Sequence, residues 1–252
     1  MELIKKGKRN RLHLIDEYRG FWLVNMILYH AIWDLVYIFD MRLDWYKTEI
    51  GYAWQQSICW TFILLSGFCW NMSKNKVKRG LVVFSAGFVI TMVTLFLMPE
   101  NRVLFGVLTL LGVCMLMQNL LESFYGRCNC AIGIVLAFIS FLLLKNINSG
   151  WIGVATWKIV EVPESWYANL VTAFLGFPFK NFFSTDYFSL FPWYFLFLTG
   201  YFLYRFMQKN GLLQKLPDVH IAPLEWIGKH SLLLYLLHQP VIYGVLNLML
   251  QT

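Results

Sequence analysis

The chain has 252 residues, 58% of them hydrophobic, 18% aromatic and only 14% charged, against about 25% charged in ordinary globular domains. That deficit excludes a conventional soluble domain and predicts an integral membrane protein. The net charge of +7 does not read as a nucleic-acid surface, because the basic residues sit in short segments between apolar runs, which is a topology signal.

Crossing the hydrocarbon takes about 20 apolar residues in a helix. Seven runs serve, in chain order: 20–39, 52–72, 81–98, 103–121, 130–144, 187–206 and 226–250. The expected fold is an all-α integral membrane bundle of about seven transmembrane helices, one multi-pass domain over 1–252. The fifth run is short, which snorkelling and local bilayer thinning tolerate. Residues 166–179, WYANLVTAFLGFPF, are too short to span and end at Pro178. They predict a re-entrant or interfacial helix. The 145–186 segment, rich in Trp, Gly and acids, reads either as a lid over a cavity or as a connector with interfacial tryptophans.

Orientation follows from Lys and Arg. Residues 1–19 hold six, 74–79 (KNKVKR) four, 205–218 three, and Arg127 lies in the 122–129 loop. The alternate loops hold Arg42, Lys47 and Arg102, then three Lys over 145–186. The N-terminus is therefore expected in the cytosol of a cell-membrane protein. No small-residue cleavage site follows the first run, which reads as a retained signal anchor. Cys128 and Cys130, spaced C-x-C, have no His or Cys nearby to complete a zinc site, so no metal is expected.

Ionisable residues inside the runs carry the chemistry. Arg19 and His30 are eleven positions apart, which on a helix brings them within roughly 20° of one direction and separates them by roughly 16 Å. Asp34 shares that face, one turn beyond His30. A carboxylate beside an imidazole can fix its tautomer and steady its charge, as a general base requires. The plainer alternative is a His–Asp pair gluing helices together. In GKHSLLLYLLHQP, residues 228–240, Ser231, Tyr235 and His238 share a second face, and Pro240 loosens the helix just beyond. They read as a site-lining helix or as a kinked packing helix. Asp186 precedes the sixth run and reads as an acceptor-binding carboxylate or as its N-cap. Lys78 and Arg79 hold phosphates or anchor the topology. Ser66–Gly67 permit close helix approach. No phosphate-cradling Gly-rich loop, HExxH or G-x-S-x-G elbow is present.

Five blocks in order, IDEYRGFWLVNMILYHAIWDL (15–35), FILLSGFCW (62–70), FGVLTLLGV (105–113), DYFSLFPWYFLFLTGYFLYR (186–205) and IGKHSLLLYLLHQPV (227–241), resemble bacterial members of the heparan-alpha-glucosaminide N-acetyltransferase-like family. The resemblance covers nearly the whole chain. Arg19-x10-His30 also resembles the pattern of the wider transmembrane acyltransferases, where it implies the acyl-transfer site. It implies acyl-CoA, most simply acetyl-CoA, as co-substrate. Its phosphates would meet Arg19, Lys78 and Arg79. His30 would be the base, assisted by Asp34. His238, Tyr235, Ser231 and Asp186 would face a glycan or lipid-linked acceptor. Relatives often carry His where this chain has Thr109. Two rival classes remain at this stage: a proton-coupled carrier using the same His and Asp, and a partner-binding membrane subunit.

Overall fold

The computed structural model describes residues 13–217 and 219–250. The basic residues at 5, 6, 8, 9 and 11, which bear on orientation, lie outside them. The helices are α1 (His13–Tyr37), α2 (Glu49–Trp70), α3 (Lys76–Leu97), α4 (Val107–Tyr125), α5 (Cys130–Leu144), α6 (Leu170–Leu175), α7 (Leu190–Lys209), α8 (Ala222–Lys229) and α9 (Ser231–Leu250). They form two compact units, one joining the residues up to Ile58 with those from Leu213 on, the other Cys59–Leu212. α2 runs through both.

In the first unit α1 packs on α8 and α9. α1 is already helical at His13, the first described residue, seven residues before the apolar run. Two glycines set the α1–α8 approach. A Cβ on Gly20 would stand 2.0 Å from the Leu224 carbonyl oxygen, and one on Gly228 would stand 1.8 Å from that of Asp16. No side chain fits at either position, so the two backbones touch. The single run expected over 226–250 breaks at His230 into α8 and α9. α9 then passes through Pro240 without ending.

In the second unit α3 pairs with α4 and α5 with α7. Gly67 allows the close approach its sequence suggested: a Cβ there would lie 1.9 Å from the Phe197 carbonyl oxygen. Buried Trp70 donates to the Met115 carbonyl at 3.1 Å, and Asn129 caps α5 through Ala131 N and Ile132 N.

The all-α expectation needs one correction. The 145–186 segment contains an antiparallel hairpin, β1 (Trp151–Val154) and β2 (Trp157–Glu161). Its aromatic and β-branched residues favour strand over helix, and Ala155 turns the chain with φ 52. The interfacial segment contracts to six-residue α6, opened by an Asn169–Thr172 capping box and closed at Gly176, φ 134, rather than at Pro178.

Among the described residues, four stretches are long and apolar enough to cross a membrane: α3, α4, α5 with its following turn, and α9. They leave large apolar side chains exposed, Phe96 and Phe124 at 80%, as a lipid-facing surface requires. The protein is therefore a membrane protein. α1, α2 and α7 have 25, 22 and 20 residues, length enough to span, but polar side chains keep them outside that group. The count of seven is thus not met on apolarity.

Candidate functional site

His30, Asp34, Tyr235 and His238 all lie in the first unit, where α1 meets α9. The His30 and His238 rings stand 4.9 Å apart between centroids, edge to face. One turn further along α1, fully buried Asp34 accepts a hydrogen bond from Gln239 Nε2 at 2.6 Å. Two rungs thus join the helices, His30–His238 and Asp34–Gln239. No His30–Asp34 hydrogen bond is formed: Asp34 Oδ1 accepts from Gln239 and Oδ2 has no partner. His238 Nδ1 lies 2.5 Å from the Tyr235 carbonyl oxygen. A carbonyl only accepts, so Nδ1 carries the proton and Nε2 is left as an acceptor. The Tyr235 ring packs 5.3 Å from that of His238. Ser231 opens α9, seven residues or about 10 Å of helix rise from His238, and is not drawn into this cluster.

Arg19 sits two turns inside α1, its side chain largely covered. Its guanidinium donates to Asp16 Oδ1 at 3.1 Å and to the Gly228 carbonyl at 3.4 Å. It therefore clamps α1 to α8 besides presenting charge at that end of the helix. Nearby, Glu17 Oε1 accepts from Ile221 N at 2.6 Å. Glu225 is bonded by Lys229 and by His13 Nδ1, the latter at 2.8 Å. Those two bonds hold its carboxyl at about 2, well below the usual carboxylate range. His13, His220 and Glu225 are the one group among the described residues with the make-up of metal ligands. Lys229 already meets the carboxylate's charge.

The remaining predicted residues belong to the second unit. Lys78 is exposed and lines an open hollow with Lys74, Asn75, Lys76, Val77 and Asn119. Arg79 is half-buried and does not line it. Asp186 is a cap, but of another helix than its neighbour: Oδ2 accepts from Val107 N at 3.1 Å at the start of α4, while α7 is entered through Ser189. Burial lifts the Asp186 carboxyl to about 6. Thr109 faces Gly87 of α3, where a Cβ would lie 2.6 Å from its Oγ1. That hydroxyl is buried without a partner.

The catalytic-domain model of heparan-alpha-glucosaminide N-acetyltransferase matches residues 11–240. The chain belongs to that family. The match runs through both units and takes in all nine predicted site residues. Membership in the glucosaminide N-acetyltransferase family makes the protein a membrane transferase, of the acetyl-transferring kind that the family's description names. No curated protein and no solved structure matches the chain.

For this family member, sequence reasoning missed Gln239. It stood in the quoted LHQPV block, but a lone amide beside a histidine gives no sign of its partner. The one available signal was a polar side chain deep in an apolar helix, one residue from His238 and before a proline.

Proposed function

We propose that the protein transfers an acyl group, most simply acetyl, from cytosolic acyl-CoA to a hydroxyl or amine of an acceptor on the outer side of the cell membrane, a glycan or lipid-linked sugar. The observation that carries this reading is the His30–His238 pair, inside a stretch matched by an acetyltransferase family. In this reading α1, α2, α3, α4, α5, α7 and α9 span, and α6 and α8 do not, since six and eight residues cannot bridge about 30 Å. The N-terminus is cytosolic by the distribution of Lys and Arg.

Arg19, which bonds Asp16 and Gly228, is proposed as the cation that meets a CoA phosphate at that end of α1. Lys78 and Arg79, in the other unit, are proposed separately as phosphate-binding cations. His30 removes the acceptor's proton as the acceptor oxygen or nitrogen forms its bond to the thioester carbonyl carbon. The C–S bond breaks, and the proton leaves with the CoA thiolate. A two-step route through an acyl-His30 uses the same groups. Asp34 adds negative potential one turn away rather than a direct bond. His238, Tyr235, Ser231 and Asp186 are proposed on the acceptor side. A proton-coupled carrier would employ the same His and Asp, but the family favours the transferase.

The test is binding and turnover of acetyl-CoA by purified protein in nanodiscs, read as free CoA thiol released. Saturable binding with slow thiol release, accelerated by an amino sugar, supports the reading. Absence of acetyl-CoA binding overturns it.

A further inference from the structure

The β1–β2 hairpin of the second unit leaves its apolar residues uncovered. All five residues of β2 are exposed, Trp157 at 81% and Ile159 at 64%. Val154, paired with Trp157 across the turn, and Val160 are exposed as well. A lid would lay such residues on what it covers. Nor is the turn built for water. A tight hairpin turn most often carries Asn-Gly or Asp-Gly, yet Ala155 takes the left-handed position, φ 52, between Val154 and Thr156.

The place of the hairpin supplies its partner. The apolar stretch long enough to cross a membrane, Cys130–Ser149, ends two residues before Trp151. Gly150, φ 94, bends the chain, and β1 packs against α5, so the hairpin stands beside the end of that stretch. The lipid-facing surface of α5, with Val135, Leu136 and Ile139 exposed, is thus continuous with the exposed hairpin. At the hairpin's base Tyr167 donates to the Ile147 carbonyl at 2.5 Å, which holds the exposed Trp166 nearby. Tryptophan concentrates where hydrocarbon meets headgroup. We infer that the hairpin, with Trp157 at its turn, is an interfacial anchor that seats among the headgroups and upper acyl chains of the bilayer beside the end of α5. Charge has little part in it, since Lys145 and Lys158 are balanced by Glu161 and Glu164, and Lys158 lies 5.9 Å over the Trp151 ring. The partner is therefore phospholipid of either headgroup charge, held by apolar burial. The leaflet is the outer one in the orientation proposed above, but the anchor needs neither that orientation nor the transferase reading.

Trp157 reports on the anchor directly. Emission of the unaltered protein less that of Trp157→Phe isolates this one ring, and Trp166→Phe isolates a second. Both are measured in nanodiscs of phosphatidylcholine with and without bromine on the upper acyl chains, and with acrylamide added from water. Brominated lipid is expected to lower the isolated Trp157 emission at least twofold, while acrylamide quenches it at least threefold less than free N-acetyltryptophanamide. Trp166 should follow the same pattern. Exchanging a third of the lipid for phosphatidylglycerol should change neither result. Ile159→Asp, which puts a charge on the inserted strand, should lessen the bromine effect. Quenching by acrylamide with none by bromine places the turn in water and overturns the anchor. Quenching by neither means that protein covers the ring, as a lid would, and overturns it too. A bromine effect that disappears when each disc holds two copies assigns the face to a second copy instead.

Discussion

Gln239 donates to Asp34 across 2.6 Å, joining residues 205 positions apart. The bond ties the middle of α1 to α9 beside the His30–His238 contact. It also redirects Asp34: the carboxylate four residues from His30 belongs to α9's amide rather than to its own helix's imidazole. The two histidines are held by helix packing and by the Tyr235 carbonyl, so a proton on His30 need not pass through Asp34.

Arg19 has two separable roles. Arg19→Ala should weaken acetyl-CoA binding about tenfold, or about 1.4 kcal/mol, while the saturated rate stays within threefold. It should also lower the melting temperature, since the bonds to Asp16 and Gly228 are lost. Arg19→Lys should recover most of the affinity but not the melting temperature, because an ammonium lacks the fork that reaches both partners. Calorimetry and thermal melts on the two variants separate charge from clamp.

Gly20 tests the α1–α8 approach. Adding a single methyl at 2.0 Å from a carbonyl oxygen must push the helices apart. Gly20→Ala should cost about 1–3 kcal/mol, as for other overpacked contacts, whereas Ala at Gly244, which has open space around it, should be nearly neutral. Denaturation of both variants in detergent checks the contrast.

Glu225 gives the α1–α8 end an acid sensitivity. Its folded carboxyl is held at about 2 against an ordinary 4.5. The unfolded chain therefore binds the proton more readily, and stability rises with pH across that window. The contribution is complete above about 4.5 and is lost as pH falls through about 2. Glu225→Gln should flatten the melting temperature between these limits.

Much of this architecture was legible from hydropathy. The helices beginning at Glu49, Lys76, Val107 and Cys130 lie close to the predicted runs because apolar length alone places them. Three features were not. The hairpin at 151–161 lay inside a segment whose Trp and Gly content suited any irregular loop. The break at His230 has no Gly or Pro at the break itself. Asp186 carries a local capping signature, yet its partner is Val107, 79 positions away, and no local pattern reveals a tertiary cap. Among the site residues, helical spacing brought His30 and Asp34 to one face, and His238 joins them. The same spacing gives direction but not depth: Ser231 shares a face with His238 yet stands seven residues of helix rise from it.

Asp186 offers a check on that tertiary cap. Asp186→Ala should destabilise by about 0.5–2 kcal/mol, the range for lost capping groups. Asp186→Asn, still able to accept from Val107 N, should lose less. Burial holds the native carboxyl at about 6 against 3.8, so the ionised form is the costly one and its contribution to stability is highest below 3.8 and declines as pH rises through 6. Asn should abolish that decline, as melts from pH 4 to 7 would show.

The most direct measurement is single-turnover acetyl transfer by His30→Ala beside the unaltered protein, both in nanodiscs at saturating acetyl-CoA. The account predicts a loss of at least a hundredfold, in line with removal of a general base, with acetyl-CoA affinity and melting temperature close to those of the parent. Transfer at an undiminished rate by a folded, acetyl-CoA-bound His30→Ala protein would contradict it.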